Sequence, residues 1–207
     1  MRADAPERSR AEHLGPDRRR PQVLDTALEI IAERGVAAVT MGEIAARLGV
    51  TRPVVYACYP GRGEVLGALL ERESGLVLSA VLGTLPPPRT GTVEQLFVDG
   101  FHGFLDAVAA RPVSWRLILG LDTDPVLVAA VAHGRALILK QVAAVMRPLL
   151  QRWDVPDLDA ALPVLTEVFA GIGESGARLL LDPSGRWTPG PLAEITGRAA
   201  YRALRAR

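Results

Sequence analysis

GEIAARLGVTRPVVYACYPGR, residues 42–62, decides how this chain is read. Thr40, just upstream, is followed three residues later by Glu43, the spacing of a capping box that opens a helix. Gly49 can take the left-handed conformation that ends such a helix after two turns. Thr51 stands as the cap of a second helix, and Pro53 falls in its first turn, where a missing N–H costs little. Tyr59-Pro60-Gly61 ends it. Ile44, Ala45 and Leu48 share one face of the first helix, where Val55 of the second can meet them. The small Ala45 lets the two helices cross closely. The spacing predicts a helix-turn-helix over about 40–59, whose second helix lies in a DNA major groove.

The charge pattern points the same way. From Ile44 to Gly63 there is no acidic residue, although the chain as a whole carries 24 basic and 23 acidic side chains. A surface that faces phosphates excludes carboxylates. Arg52, at the start of the second helix, is placed to reach base edges, where arginine pairs bidentately with guanine. Pro53 and Ala57 offer apolar contact to thymine methyls. Tyr56, one turn on, can bond a phosphate. Arg62 and Thr40 each stand at a helix start, where orphan amides and a side chain can grip one phosphate together. Arg18, Arg19 and Arg20 either contact the backbone or form a solvated cluster. Cys58, the only cysteine, reads either as a small filler against the domain core or as a redox-sensitive thiol near basic residues.

The rest of the chain is helical in period. At 207 residues it is long enough for one large domain or two small ones. Residues 1–17 are Arg/Glu/Pro-rich and aperiodic, the composition of a disordered arm. Apolar residues from Val23 to Ile31 recur at helical spacing before Gly35. A long helix is expected from Arg62 to about Gly83, and LPPPRTGT, residues 85–92, reads as a loop. Thr92 with Gln95 caps a helix to about Ala110, Pro112 starts a short one, and Asp124-Pro125 opens a long one to about Arg152. Helices over 156–181 and 191–205 complete an all-α architecture of about nine helices. No run of period-2 alternation suggests a strand.

A net charge of +1 excludes a polybasic protein, so charge-driven binding must be local. One cysteine excludes an intrachain disulfide and a multi-cysteine metal site. His13, His102 and His133 stand apart, without catalytic or metal-ligating spacing, so no catalytic residues, metal or cofactor are expected. The N-terminus lacks the apolar core of a signal peptide. No apolar run reaches the ~18 residues of a membrane helix without interruption by charge or His133. The reading is a cytoplasmic protein with no membrane partner. GIGESG, residues 171–176, matches the GxGxxG dinucleotide fingerprint, but no strand–helix alternation surrounds it. It reads as a helix with a small-residue stripe that another helix approaches closely.

Residues 18–70 resemble the DNA-binding domain of tetracycline-repressor-like (TetR family) regulators. The run carrying this is RPQVLDTALEIIAERG, then TMGEIAARLGVTRPVVYACYPGRGEVL. It has a hydroxyl at Thr40, Ile44-Ala45, Gly49, Tyr56, an aromatic at Tyr59 and a basic Arg62. It departs at Cys58, where the family usually has His, and at Arg62-Gly63, where it usually has Lys-Glu. WRLILG at 115–120 and GRA at 134–136 extend the likeness more weakly. Residue pattern and resemblance together give the candidate DNA contacts as Arg20, Thr40, Thr51, Arg52, Pro53, Val54, Tyr56, Ala57, Tyr59 and Arg62.

The resemblance implies a transcriptional regulator, a repressor released from a palindromic operator when a small molecule binds. It implies residues 18–64 as the DNA-binding domain and 65–207 as a helical ligand-binding and dimerisation domain. A homodimer would form through about 156–181 and 191–205. Phe97, Phe101 and Phe104 share a helix face that is either plain core or part of a largely apolar pocket between helices. Candidate ligand contacts are Phe101, His102, Phe104, Trp115, His133, Glu167 and Glu174. The competing readings are an all-α module whose basic hairpin docks an acidic protein, and a nucleotide-dependent enzyme built on GIGESG.

Overall fold

The computed structural model describes residues 15–83, 92–121 and 124–205. Among these there are nine α-helices, one short 3-10 turn and no strand. They are α1 (Pro16–Arg34), α2 (Met41–Leu48), α3 (Arg52–Cys58), α4 (Arg62–Gly83), α5 (Val93–Ala110), α6 (Pro112–Ile118), α7 (Val128–Arg152), α8 (Leu158–Leu180) and α9 (Pro189–Arg205). The all-α expectation holds. The chain divides into two compact units, Met1–Leu69 and Leu70–Arg207.

In the first unit, the apolar stripe of α1 supplies Val23, Ala27 and Ile30, all fully buried. Ile44 of α2, Val55 of α3 and Val65, Leu66 and Leu69 of α4 are buried in the same way. Each Val, Leu or Ile among them contributes about 1.5–3 kcal/mol through burial, which far exceeds what helices this short supply alone.

Thr40 caps α2 as expected, with its Oγ accepting from the Glu43 amide at 3.0 Å. The capping box is only half made, because the Glu43 carboxylate accepts from Arg47 at 3.2 Å. Gly49 ends α2 at φ 65°, ψ 30°, its N–H directed to the last-turn carbonyls of Ala45 and Ala46. Thr51 occupies the cap position of α3, but its side chain accepts no capping bond, contrary to expectation. The first turn of α3 contains Pro53, which has no amide to cap.

In the second unit, α5 and α9 cross closely, with α8 packed on both. Its core joins Phe97, Phe101 and Leu105 of α5 to Met146 and Leu150 of α7, Leu162 of α8, and Leu192, Ala193, Ala200 and Leu204 of α9. At the crossing a Cβ built on Gly197 would lie 2.6 Å from the Val98 Cα, so only glycine fits there. Glu73 of α4 is 1 % exposed, yet it is matched. Ser114 Oγ donates to it at 2.6 Å, and Arg72 and Arg111 lie at 2.9 and 3.5 Å.

Some expectations change. Residues 16–17, expected in the arm, begin α1, and residues 1–14 lie outside the described part. The 85–92 loop falls there too, save Thr92, which caps α5 by accepting from the Gln95 amide at 3.2 Å. Asp124-Pro125 forms a turn rather than the first turn of α7: the Asp124 carboxylate accepts from the Val126 amide at 3.0 Å, and the helix starts at Val128. Most directly, α7 is long and apolar enough to cross a membrane by length and composition, with a window of mean hydropathy 1.3. The interruptions at His133 and Lys140 do not lower its average below that level. Arg135 and Lys140 lie within the helix, and each such charge costs about 2.5–3.5 kcal/mol at a bilayer centre.

Candidate nucleic-acid interface and apolar cavity

The turn geometry of the first unit sorts α3 into two faces. Val55 and Cys58 are buried and Val54 is half-buried. Arg52, Pro53, Tyr56 and Ala57 are exposed on the opposite face, at the i, i+1, i+4, i+5 spacing of one helical stripe. Tyr56 is 51 % exposed, an unusual position for a large aromatic with nothing to cover it. Thr40 and Thr51 are also exposed, and Tyr59 is half-buried.

The Arg52 guanidinium lies over the first turn of α2. A Cβ built on Gly42 would come within 3.0–3.3 Å of its Nη2, Nε and Cζ. Gly42 thus makes room for the fork. A cation beside a helix N-terminus is electrostatically unfavourable on its own. The two positive features together favour an anion between them.

Not every arginine here is available. Arg62 Nε donates to the Val39 carbonyl at 2.8 Å and Nη2 to the Val36 carbonyl at 3.1 Å. Two arms of the fork thus tie the start of α4 to the chain entering α2, a structural role beside the phosphate grip expected of it. Arg20 Nε donates to the Cys58 carbonyl at 3.2 Å, its Nη1 lies 3.6 Å from Asp17, and its guanidinium is 6.0 Å from the Tyr59 ring centroid. It closes the end of α3 against α1 while remaining partly exposed. Arg47 bonds both Glu33 and Glu43, and holds the Glu33 carboxyl below the usual range by donating to it. The acid-free segment therefore borrows carboxylates from outside itself, and its bare basic face narrows to α3.

Cys58 is buried, and its thiol donates to the Val54 carbonyl at 3.4 Å. Burial raises its pKa, against the lowering influence of Arg19 and Arg20. A neutral, occluded thiol is the filler of the first alternative, not a reactive thiolate.

The second unit holds a cavity of about 320 Å³. Four of the expected ligand contacts line it: Phe101, Phe104, Trp115 and Glu174. Three do not. His102 is exposed, with Nδ1 2.9 Å from Asp106. His133 is exposed on α7. Glu167 lies outside the wall, where both its oxygens hold Arg135 at 3.2 and 2.7 Å. The Phe97, Phe101, Phe104 stripe proves to be both core and wall. Phe169 packs edge-on against Phe97 and Phe101 at 6.1 and 5.5 Å between centroids, and Trp115 meets Phe104 at 5.1 Å.

Sequence reasoning missed Arg135, which lines the cavity and bonds Glu174 through Nε at 2.7 Å. One signal existed: Glu167 and Glu174 are seven residues apart, two turns on one face, so one cation can bridge both. The spacing does not say which cation. GIGESG lies inside the unbroken helix α8, which removes the dinucleotide-loop reading. A Cβ at Gly171 would meet nothing within 4 Å, while one at Gly176 would touch Thr196 of α9 at 3.4 Å, so only part of the small-residue stripe meets a helix. Among the described residues no group of three or more His, Cys, Asp or Glu is placed to hold a metal.

Comparison with known proteins bears on the first unit most directly. Residues 23–69 match the family model for bacterial regulatory proteins, tetR family. The HTH-type transcriptional activator FasR of Mycolicibacterium smegmatis is 34 % identical over 125 residues, 59 % of this chain and 56 % of that protein. The chain thus aligns with little more than half of FasR. The HTH-type transcriptional regulator SrpR of Pseudomonas putida is 29 % identical over 167 residues, 77 % of this chain and 75 % of that one. A crystal structure of a tetR-family transcriptional regulator from Streptomyces coelicolor superposes with a TM-score of 0.67 at 23 % identity, over 92 % of this chain and 82 % of that one.

Proposed function

We propose that this chain, whose residues 23–69 match the family model for bacterial regulatory proteins, tetR family, is a ligand-responsive transcriptional regulator that binds palindromic double-stranded DNA as a homodimer. The observation that carries this reading is the exposed face of α3, where Arg52, Pro53, Tyr56 and Ala57 stand together without an acid among them. Arg52 reads a base edge or a phosphate, Tyr56 bonds a phosphate, and Thr40 and Thr51 add hydroxyls beside them. Residues 18–64 do this work, and 65–207 bind the effector and the second subunit. The reading places the protein in the cytoplasm, where its DNA is.

Dimerisation is supported by apolar side chains left without cover. Val164, Val168 and Leu179 on α8 and Ile195 on α9 are 63, 41, 46 and 55 % exposed. Isolated exposed apolar residues are ordinary, but this set lies along the two helices expected at the interface. We assign repression as the output, through occupancy of the operator until a small molecule in the cavity lowers DNA affinity. The ligand acts by preferring one spacing of the two DNA-binding units, since half-sites about 34–36 Å apart tolerate little change.

A gel-shift titration with the DNA flanking the coding region, against scrambled competitor at fixed salt, tests the reading. A discrete shift that survives competitor is expected. A smear that competitor removes, together with no enriched sequence in selection from random duplexes, would sink it and favour an acidic protein partner for the basic hairpin.

A further inference from the structure

The cavity in the second unit identifies the chemistry of its own occupant. Its walls are Phe97, Phe101, Phe104, Trp115, Phe169 and aliphatic side chains, with Met146 among them. All five of those rings already pair edge-to-face with a neighbour in the wall, so a further ring continues the same packing. The charged groups on the wall are Arg135, Glu174 and Arg178. Arg135 is held by Glu167 through two bonds and by Glu174 through a third. Arg178 lies 3.6 Å from the other oxygen of Glu174. Two guanidiniums and two carboxylates cancel. An anionic ligand at Arg135 would have to displace a carboxylate, and a cationic one at Glu174 would have to displace Arg135. With Glu167 counted, the four charges of this cluster sum to zero, so it carries no net charge to favour an ion.

The size follows from the volume. A cavity of about 150 Å³ holds benzene, and this one measures about 320 Å³. Two glycines keep it open. Gly100 of α5 lines it, and a Cβ built there meets nothing within 4 Å. Gly173 of α8 also lines it, and its Cβ would meet only the Phe104 ring, at 3.8 Å. Neither glycine is required by backbone conformation or by a close helix, unlike Gly197. Both sit where any side chain would take ligand space.

We propose that this cavity binds an uncharged, largely apolar molecule carrying about two aromatic rings, with Gly100 and Gly173 setting its size. This rests on the second unit being the effector-binding part of a regulator, and it names the class of effector.

Three probes of one shape test it by titration calorimetry on the full chain: 4-biphenylmethanol, biphenyl-4-carboxylate and biphenyl-4-methylammonium. The alcohol is expected to bind at least tenfold more tightly than either ion, with a negative heat-capacity change. The Gly100→Leu variant, which fills the cavity from a position with room for a side chain, is expected to lose that binding while keeping its unfolding midpoint. Equal or tighter binding of either ion, no binding of any probe, or unchanged binding to a folded Gly100→Leu protein would each overturn the assignment. DNA release is read separately by gel shift. Alcohol binding without any effect on DNA leaves the ligand class standing and removes the effector role.

Discussion

Gly197 of α9 lies so close to Val98 of α5 that a methyl group placed on it would sit 2.6 Å from the Val98 Cα and 2.9 Å from its nitrogen. The neighbour is backbone and cannot turn aside. Gly197→Ala is therefore expected to force the helices apart and destabilise the protein by about 1–3 kcal/mol, despite alanine's better helix propensity. Gly100→Ala has the opposite sign, since its Cβ meets open space; a gain of up to about 1 kcal/mol is expected. Thermal unfolding of the two variants side by side checks both, and equal behaviour would contradict the close crossing.

Arg62→Ala is expected to act on stability before it acts on DNA. It leaves the Val36 and Val39 carbonyls without their charge-assisted donors, a loss of about 1–3 kcal/mol. The salt dependence of DNA binding should keep its slope. A slope flattened by about one phosphate contact with no loss of stability would return Arg62 to the DNA surface.

Arg52→Ala, in contrast, should leave the unfolding midpoint in place and weaken specific DNA binding by about 1–3 kcal/mol. Competition across operator variants decides its role. Relaxed preference at one base position marks a base contact, and uniform loss marks a phosphate contact beside the first turn of α2.

The Arg135 cluster gives a pH dependence of definite sign. The hydrogen bond from Arg135 lowers the Glu167 pKa in the folded chain. Glu167 therefore contributes stability that is fully present above its ordinary value of about 4.3. That contribution is lost as pH falls through the lowered folded value. The midpoint difference between the native chain and Glu167→Gln should be constant at neutral pH and close in acid. A difference that persists unchanged below that range would exclude the ion pair as its source.

Ser114→Ala tests the buried carboxylate of Glu73. Losing the 2.6 Å donor should cost about 1–3 kcal/mol, and Ser114→Thr, which keeps the hydroxyl, should cost less. Equal losses in urea unfolding would assign the effect to packing at that position rather than to the bond.

The first unit was legible because its signals are local. Thr40, Gly49 and Pro53 act within one or two turns of themselves, and α2 and α3 fall where those residues place them. What escaped was long-range pairing. Arg62 and Arg52 look alike in sequence, each a basic residue at a helix start. Only the fold shows that the carbonyls of Val36 and Val39, more than twenty residues away, take the first and leave the second at the surface. Glu73 sits in a charged run, and nothing near it in sequence predicts its burial. The cavity divided in the same way. Aromatic residues on one face of α5 announce themselves by period, whereas His102 and His133, polar residues in an apolar region, lie exposed outside the cavity wall. Lone polar residues carry no periodicity to orient them.

The single thiol gives the protein an internal clock. Cys58 is sealed by its burial and by Pro16 and Val54, toward whose carbonyls its sulfur points. With no other cysteine in the chain, the rate of alkylation by an added reagent measures one event, the lifting of α3 from α1. The frequency of that opening, with and without operator DNA, can be read from unlabelled protein as a rate of mass gain.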